Sequence, residues 1–182
     1  MNDVYIAGGA RTPMGGFQGS LSDLGAVELG AAAIKEAVSR ANLEGSDIEE
    51  IILGCVLPSG LRQGPARQAA IDAGIPVESG ATTINKLCGS GMKATMLAHD
   101  LIKAGTNDIM VSGGMESMSN APYLLPKARA GLRMGHQEVQ DSMFTDGLED
   151  AKTGRLMGSF AQEMGDKYQM TREDMDAFAI QS

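Results

Sequence analysis

The chain predicts an α/β fold, a largely parallel sheet covered by helices on both faces, with an irregular and helical extension behind it. Three observations carry this. Short continuous apolar runs, clearest at Ile51-Ile52-Leu53-Gly54-Cys55-Val56 and Asp108-Ile109-Met110-Val111-Ser112-Gly113-Gly114, have the composition of buried parallel strands. Between them lie stretches whose apolar residues return every three or four positions, the helical period. The alternation stops near residue 118, beyond which turns, charges and methionines replace the strand signal. Strands alternating with helices imply crossovers on one sheet.

Taken in order, Val4 to Ala10 reads as a first apolar strand, ended by Arg11-Thr12-Pro13. Met14 to Gly19 is glycine-rich, but it lacks both the G-x-G-x-x-G spacing and the Lys-Ser/Thr of a phosphate loop, so it reads as a flexible connection. Ser22 predicts an N-cap for a helix from Asp23, with Leu24, Val27, Ala31, Ile34, Val38 and Ala41 on one face. A short helix over 65–71 begins with Pro65 in its first turn. Ala81-Thr82-Thr83-Ile84 is β-rich, and a long helix then runs to about Ala104. Beyond the boundary at 118, the segments 157–169 and 172–181 read as helices, the second capped by Thr171 with Glu173 and Asp174 in its first turn.

Composition narrows the function. Of 182 residues, 43% are hydrophobic, with three Tyr, four Phe and no Trp, so the core is aliphatic and Met-rich. A formal net charge of −8 and the lack of any basic run argue against nucleic acid as a partner. No run approaches the roughly 20 apolar residues that span a bilayer, and the first residues do not form a secretory signal. Two cysteines make no disulfide framework. The expectation is a protein of a reducing compartment, most simply cytoplasmic. No metal-ligand spacing occurs.

The chemistry centres on Cys88. Its strand-to-helix turn puts the sulfur beside backbone N–H groups without intrahelical partners and at the positive end of the helix dipole, which favours thiolate. Gly89 and Gly91 leave room for a substrate. These residues alone leave two readings open, a nucleophile or a packing thiol. Cys55, inside an apolar strand, reads as an inert core residue. A nucleophile needs a base, and the chain has two histidines. His99 shares the helix face of Cys88 but lies roughly 16 Å along the axis at 1.5 Å per residue. His136 falls in the irregular region with no local feature that returns it to the thiol. Local spacing therefore gives a cysteine without a base.

Asn85-Lys86-Leu87-Cys88-Gly89-Ser90-Gly91-Met92-Lys93-Ala94 resembles the N-x-x-C-x-S-G nucleophile motif of the thiolase family. Arg11-Thr12-Pro13-x-Gly15, Pro65-Ala66-Arg67-Gln68-Ala69, Gly113-Gly114-Met115-Glu116-Ser117-Met118-Ser119 and Asp146-Gly147-Leu148 are similar to that family's segments in the same order. The likeness runs over nearly the whole chain, nearest the bacterial acetyl-CoA C-acetyltransferases of the family. It implies a thiolase-like mixed β-sheet layered between helices over residues 1–118. Residues 119–182 would be the first part of a loop domain that binds coenzyme A.

By the same resemblance, Cys88 accepts an acyl group as a thioester. Leu148, Leu156 and Met157 lie along coenzyme A, which is a substrate and not a resident cofactor. Biosynthetic members carry histidine where this chain has Leu156. The resemblance also implies partners missing from these residues. Asn-Glu-Ala-Phe-Ala, Gly-His-Pro and Cys-x-Gly, which supply an oxyanion donor, the activating base and a second cysteine, do not occur. The expectations are dependence on a C-terminal thiolase half and self-association into a homo-oligomer. The competing expectation is a non-catalytic module that binds acyl-CoA or a partner and keeps Cys88 for structure or redox sensing.

Overall fold

The computed structural model describes residues 3–182. Its central sheet has three parallel strands, β1 (Glu50–Gly54), β2 (Gly80–Ile84) and β3 (Met110–Gly114), in the order β2-β1-β3. Ile52 pairs with Thr82 on one side and Ser112 on the other. Helices α1 (Ala26–Arg40) and α2 (Pro65–Asp72) cover one face, and α3 (Ser90–Ala104) packs on β3 and β1. Strand alternation explains the layering. Ile51, Leu53 and Cys55 join Ile34, Val38, Ala66 and Ala69 in one buried cluster. Gly54, on the other side of the pleat, meets Ser90 of α3. Burying a side chain such as Ile51, fully enclosed here, contributes about 1.5–3 kcal/mol.

Two glutamates tie the strand ends. Glu49 accepts the N–H groups of Asp108 and Ile109 where β3 starts. Glu116 accepts those of Val56 and Leu57 where β1 and β3 end.

The expected first strand does not form. Val4 to Ala10 runs outside every ladder among the described residues, with Tyr5 81% and Ile6 88% exposed. It lies instead along the end of α1, where Arg40 Nη1 donates to the Gly9 carbonyl at 3.0 Å. Apolar composition favours an extended conformation, but a strand also needs a neighbouring backbone to complete its hydrogen bonds. The connection after it is more fixed than its glycines suggest. Gln18 donates its N–H to Ser119 Oγ at 2.9 Å and its side-chain amide to the Ser119 carbonyl at 3.0 Å.

Helix α1 starts at Ala26 and not Asp23, because Glu28 Oε2 accepts the Gly25 N–H at 2.7 Å and fixes the helix start there. The predicted face is otherwise the buried one, through Ala31, Ile34 and Val38. Helix α3 ends at Gly105, whose φ of 75° closes the last turn in a left-handed cap.

The second region also departs from its reading in one respect. A two-residue antiparallel pair, β4 (Tyr123–Leu124) with β5 (Gln140–Asp141), forms a small second sheet. A π-helical stretch follows at Phe144–Leu148. Helices α4 (Met157–Lys167) and α5 (Arg172–Gln181) stand where periodicity predicts them, and Thr171 Oγ1 accepts the Asp174 N–H at 3.1 Å as the N-cap.

Candidate active site

Strand β2 ends at Ile84, and the four residues Asn85–Cys88 turn the chain into α3. The turn is locked by its own side chains. Asn85 Oδ1 accepts the Leu87 N–H at 2.9 Å. Ser90 Oγ accepts the Lys86 N–H at 2.8 Å and donates to the Leu87 carbonyl at 2.6 Å. These bonds hold Leu87 at a φ of +50°, a left-handed conformation that costs a non-glycine residue about 1–3 kcal/mol. Cys88 follows directly and is exposed, with Gly89 as the N-cap of α3. The geometry is that of a thiol held at the tip of a tight strand-to-helix turn.

A second peptide group organises the surroundings. The carbonyl of Val56 accepts Asn85 Nδ2 at 3.3 Å, while the N–H of Leu57, in the same peptide, donates to Glu116 Oε1 at 3.0 Å. The other oxygen of Glu116 takes the Val56 N–H at 2.9 Å. Gly147 sits on the other side, where an added Cβ would meet Leu57 and Val56 side chains at 3.6 and 3.8 Å. Val56 and Leu57 therefore lie between the Cys88 turn, through the Val56 carbonyl, and the stretch that contains Leu148, through their side chains.

Leu148 is half-buried at the end of that π-helical stretch. Leu156 and Met157, each 42% exposed, are the N-cap and first residue of α4. A bridge between Glu149 and Leu156, and a bond from the Asp150 N–H to the Arg155 carbonyl at 2.8 Å, fold residues 149–156 back on themselves. The three residues expected along coenzyme A are thus gathered at one loop-and-helix junction. Arg155 stacks over the Phe160 ring at 4.4 Å and pairs with Glu163, which braces the first turns of α4.

Neither histidine joins the thiol. His99 lies along α3 with its Nδ1 3.1 Å from Asp100 Oδ1. His136 lines an opening of about 400 Å³ with Lys127 and Glu138, in the excursion between β4 and β5. The larger cavity, about 440 Å³, lies between Ala10–Phe17, α1 and Gly114–Ser119, and does not include Cys88. No group of three metal-ligating side chains assembles among the described residues.

Sequence reasoning missed Glu116. Cys55 is 1% exposed, as read, but its thiol is 3.5 Å from Glu116 Oε1. Burial first, then the Glu116 charge and hydrogen bond, push the Cys55 thiol up to about 12. The available signals were its place in the family-like segment Gly113 to Ser119 and its position as a carboxylate two residues after an apolar, glycine-ended strand.

An α/β layer that displays an exposed thiol where a strand turns into a helix is an arrangement found in a class of enzyme domains that carry a nucleophile at that turn. Comparison with known proteins narrows that class. The profile for "Thiolase, N-terminal domain" matches residues 4–182, and the chain belongs to the thiolase family. It is 52% identical over 180 residues to "Acetyl-CoA acetyltransferase 2" of Arabidopsis thaliana, covering 99% of this chain and 45% of that protein. It is 50% identical over 182 residues to "Acetyl-CoA acetyltransferase" of Pseudomonas aeruginosa, covering 100% and 46%. The crystal structure of Acat5 thiolase from Ascaris suum in complex with coenzyme A superposes with a TM-score of 0.90 at 43% identity, over 99% of this chain and 47% of that one. The thiolase-like fold is thereby shown. The chain spans about half the length of the curated relatives it matches.

Proposed function

We propose that this chain supplies the nucleophile half of an acyl-transfer site that moves acyl groups to and from coenzyme A. The supporting observation is the exposed Cys88 thiol at the head of α3, on a turn that its own side chains lock.

In the thiolytic direction, Cys88 sulfur attacks the keto carbon of a 3-ketoacyl-CoA. The bond between that carbon and the one next to the thioester breaks, and the released fragment takes a proton and leaves as acetyl-CoA. The acyl-Cys88 thioester then passes its acyl group to the sulfur of coenzyme A, and the thiol is restored. Condensation of two acetyl-CoA molecules runs the same steps in reverse. The N–H of Cys88 is one donor to the oxyanion that forms on the attacked carbonyl.

Leu148, Leu156 and Met157 form the apolar side of the coenzyme A groove. Residues 1–118 form the thiolase domain, and 119–182 the first part of the loop domain. No helix among the described residues is long and apolar enough to cross a membrane. A cytoplasmic homo-oligomer is the setting we assign. Since neither histidine stands beside Cys88, the base, the second acid/base group and the other oxyanion donor come from residues outside this sequence, in the same protein or a second chain. Loss of such groups lowers rates by about 10²–10⁴-fold each.

The test is thiolysis of acetoacetyl-CoA. The 182-residue chain alone is expected to turn over negligibly. Supplied with a C-terminal thiolase half, it should turn over and form an acetyl adduct on Cys88 by peptide mass spectrometry. Robust turnover by the chain alone, lost in Cys88→Ala, would overturn the need for outside groups. Turnover of the reconstituted protein that survives Cys88→Ala would overturn the nucleophile assignment.

A further inference from the structure

We infer that Glu116 is a positioning residue for Cys88, acting through the Val56–Leu57 peptide, Asn85 and Leu87. The inference rests on the reading of Cys88 as the nucleophile.

Three hydrogen bonds run head to tail from the carboxylate to the residue before the thiol. Leu57 N–H donates to Glu116 Oε1 at 3.0 Å, Asn85 Nδ2 donates to the Val56 carbonyl at 3.3 Å, and Leu87 N–H donates to Asn85 Oδ1 at 2.9 Å. Every donor points toward Glu116. The peptide and amide dipoles therefore run head to tail toward a carboxylate, the arrangement in which each bond polarises and strengthens the next. The last of them lands on Leu87, whose φ of +50° sets the direction in which the chain enters Cys88.

The grip is specific to a carboxylate. Its two oxygens take two successive N–H groups, those of Val56 at 2.9 Å and Leu57 at 3.0 Å, so the Val56–Leu57 peptide cannot rotate without breaking the Leu57 bond, and the peptide before it is held as well. A carboxylate is an acceptor at both oxygens, whereas an amide presents an N–H donor at one of them. Glu116→Gln would set donor against donor at one backbone N–H. If Asn85 lost its fixed acceptor at Val56, it would be free to turn away from Leu87. Cys55 also touches Glu116 through its thiol, at 3.5 Å, and its backbone N–H donates to the Ile84 carbonyl at 2.9 Å, a bond that Cys55→Ala keeps.

A residue that merely fastens two strand ends would alter stability and leave the thiol as it was. A positioning residue alters the thiol in the folded protein. The experiment is iodoacetamide alkylation of Cys88 at fixed neutral pH in a Cys55→Ala background, at a temperature where circular dichroism shows every variant folded. Cys55→Ala alone sets the parent rate for the comparison. Glu116→Gln and Asn85→Ala should each lower it about tenfold, the scale of a small misplacement of a reacting group. The double variant should be no slower than either single one, and Glu116→Asp, which keeps the anion, should restore most of the rate.

Variants that react at or above the parent rate, or effects that multiply in the double variant, would overturn the inference. Should Glu116→Gln not fold, hydrogen exchange at the Leu87 amide in Glu116→Ala and Asn85→Ala decides instead. Faster exchange in both supports the path, and unchanged exchange overturns it. A parent Cys88 no more reactive than a free thiol would count against the nucleophile reading, while the ratio of variant to parent decides the role of Glu116 in either case.

Discussion

Gly54 and Ser90 are packed so closely that a methyl group on Gly54 would fall 2.4 Å from the Ser90 Cβ. The contact joins the end of the central strand to the first turn of the helix that carries the thiol at its head. Only the absence of a side chain on β1 lets α3 approach this far, and Ser90 then bonds both Lys86 and Leu87.

Gly54→Ala is expected to be among the most damaging single substitutions, since the clash is with helix backbone and a buried side chain and neither can swing away. Overpacking of this kind costs about 1–3 kcal/mol or more. Urea unfolding followed by circular dichroism measures it. A midpoint equal to that of the parent would show that α3 can shift outward freely.

Ser90→Ala tests the other side of the contact. It leaves the Lys86 N–H without its acceptor and removes one donor from the Leu87 carbonyl, inside a residue 4% exposed. The expected loss is about 1–3 kcal/mol. Because these bonds hold Leu87 in its left-handed conformation, amide exchange at Lys86 and Leu87 should accelerate more than exchange in β1.

The two cysteines should separate cleanly by reactivity. In the folded chain at neutral pH, iodoacetamide is expected to modify Cys88, which is exposed, and to spare Cys55, which is buried and has its thiol pushed up to about 12. Intact-mass measurement should give one adduct in native buffer and two in guanidinium. Two adducts without denaturant would mean that the end of β1 opens readily.

Cys55 also sets an alkaline limit. Unfolded, its thiol ionises near 9.0, and folded it stays protonated to about 12. Over that window the unfolded state releases a proton that the folded state keeps, so this contribution to stability is complete below pH 9 and falls away toward pH 12. Unfolding midpoints measured from pH 8 to 11 should decline, and Cys55→Ala should flatten the decline. An equal decline in the variant would assign it to other groups.

At acid pH the sign reverses, at α5. Hydrogen bonds from the Thr171 hydroxyl and N–H hold the Asp174 carboxyl below the usual carboxylate range. The stabilising bonds are present above about pH 4 and lost as pH falls through the lowered value. Amide exchange at the start of α5 should rise on acidification before the sheet responds, and Asp174→Ala should remove that early step.

Local patterns determined most of the elements. The apolar runs of β1 and β3, the buried Ala31, Ile34 and Val38 of α1 and the N-cap of α5 are decided by neighbours within about four residues, and they form as read. Cys88 at a strand-to-helix turn is of the same kind, since strand, turn and helix start are contiguous in the chain.

What tertiary structure alone decided is pairing. Val4 to Ala10 has strand composition yet joins no ladder, because composition reports how a segment suits a pleated, half-buried surface and not whether another backbone lies beside it. Glu116 reaches Val56 across 60 residues of sequence, and the acceptor of the Asn85 amide is 29 residues away. Such partners are fixed by where the sheet brings the chain back, which no local window contains. The sequence placed a thiol at the head of a helix. The fold decided which groups hold it there.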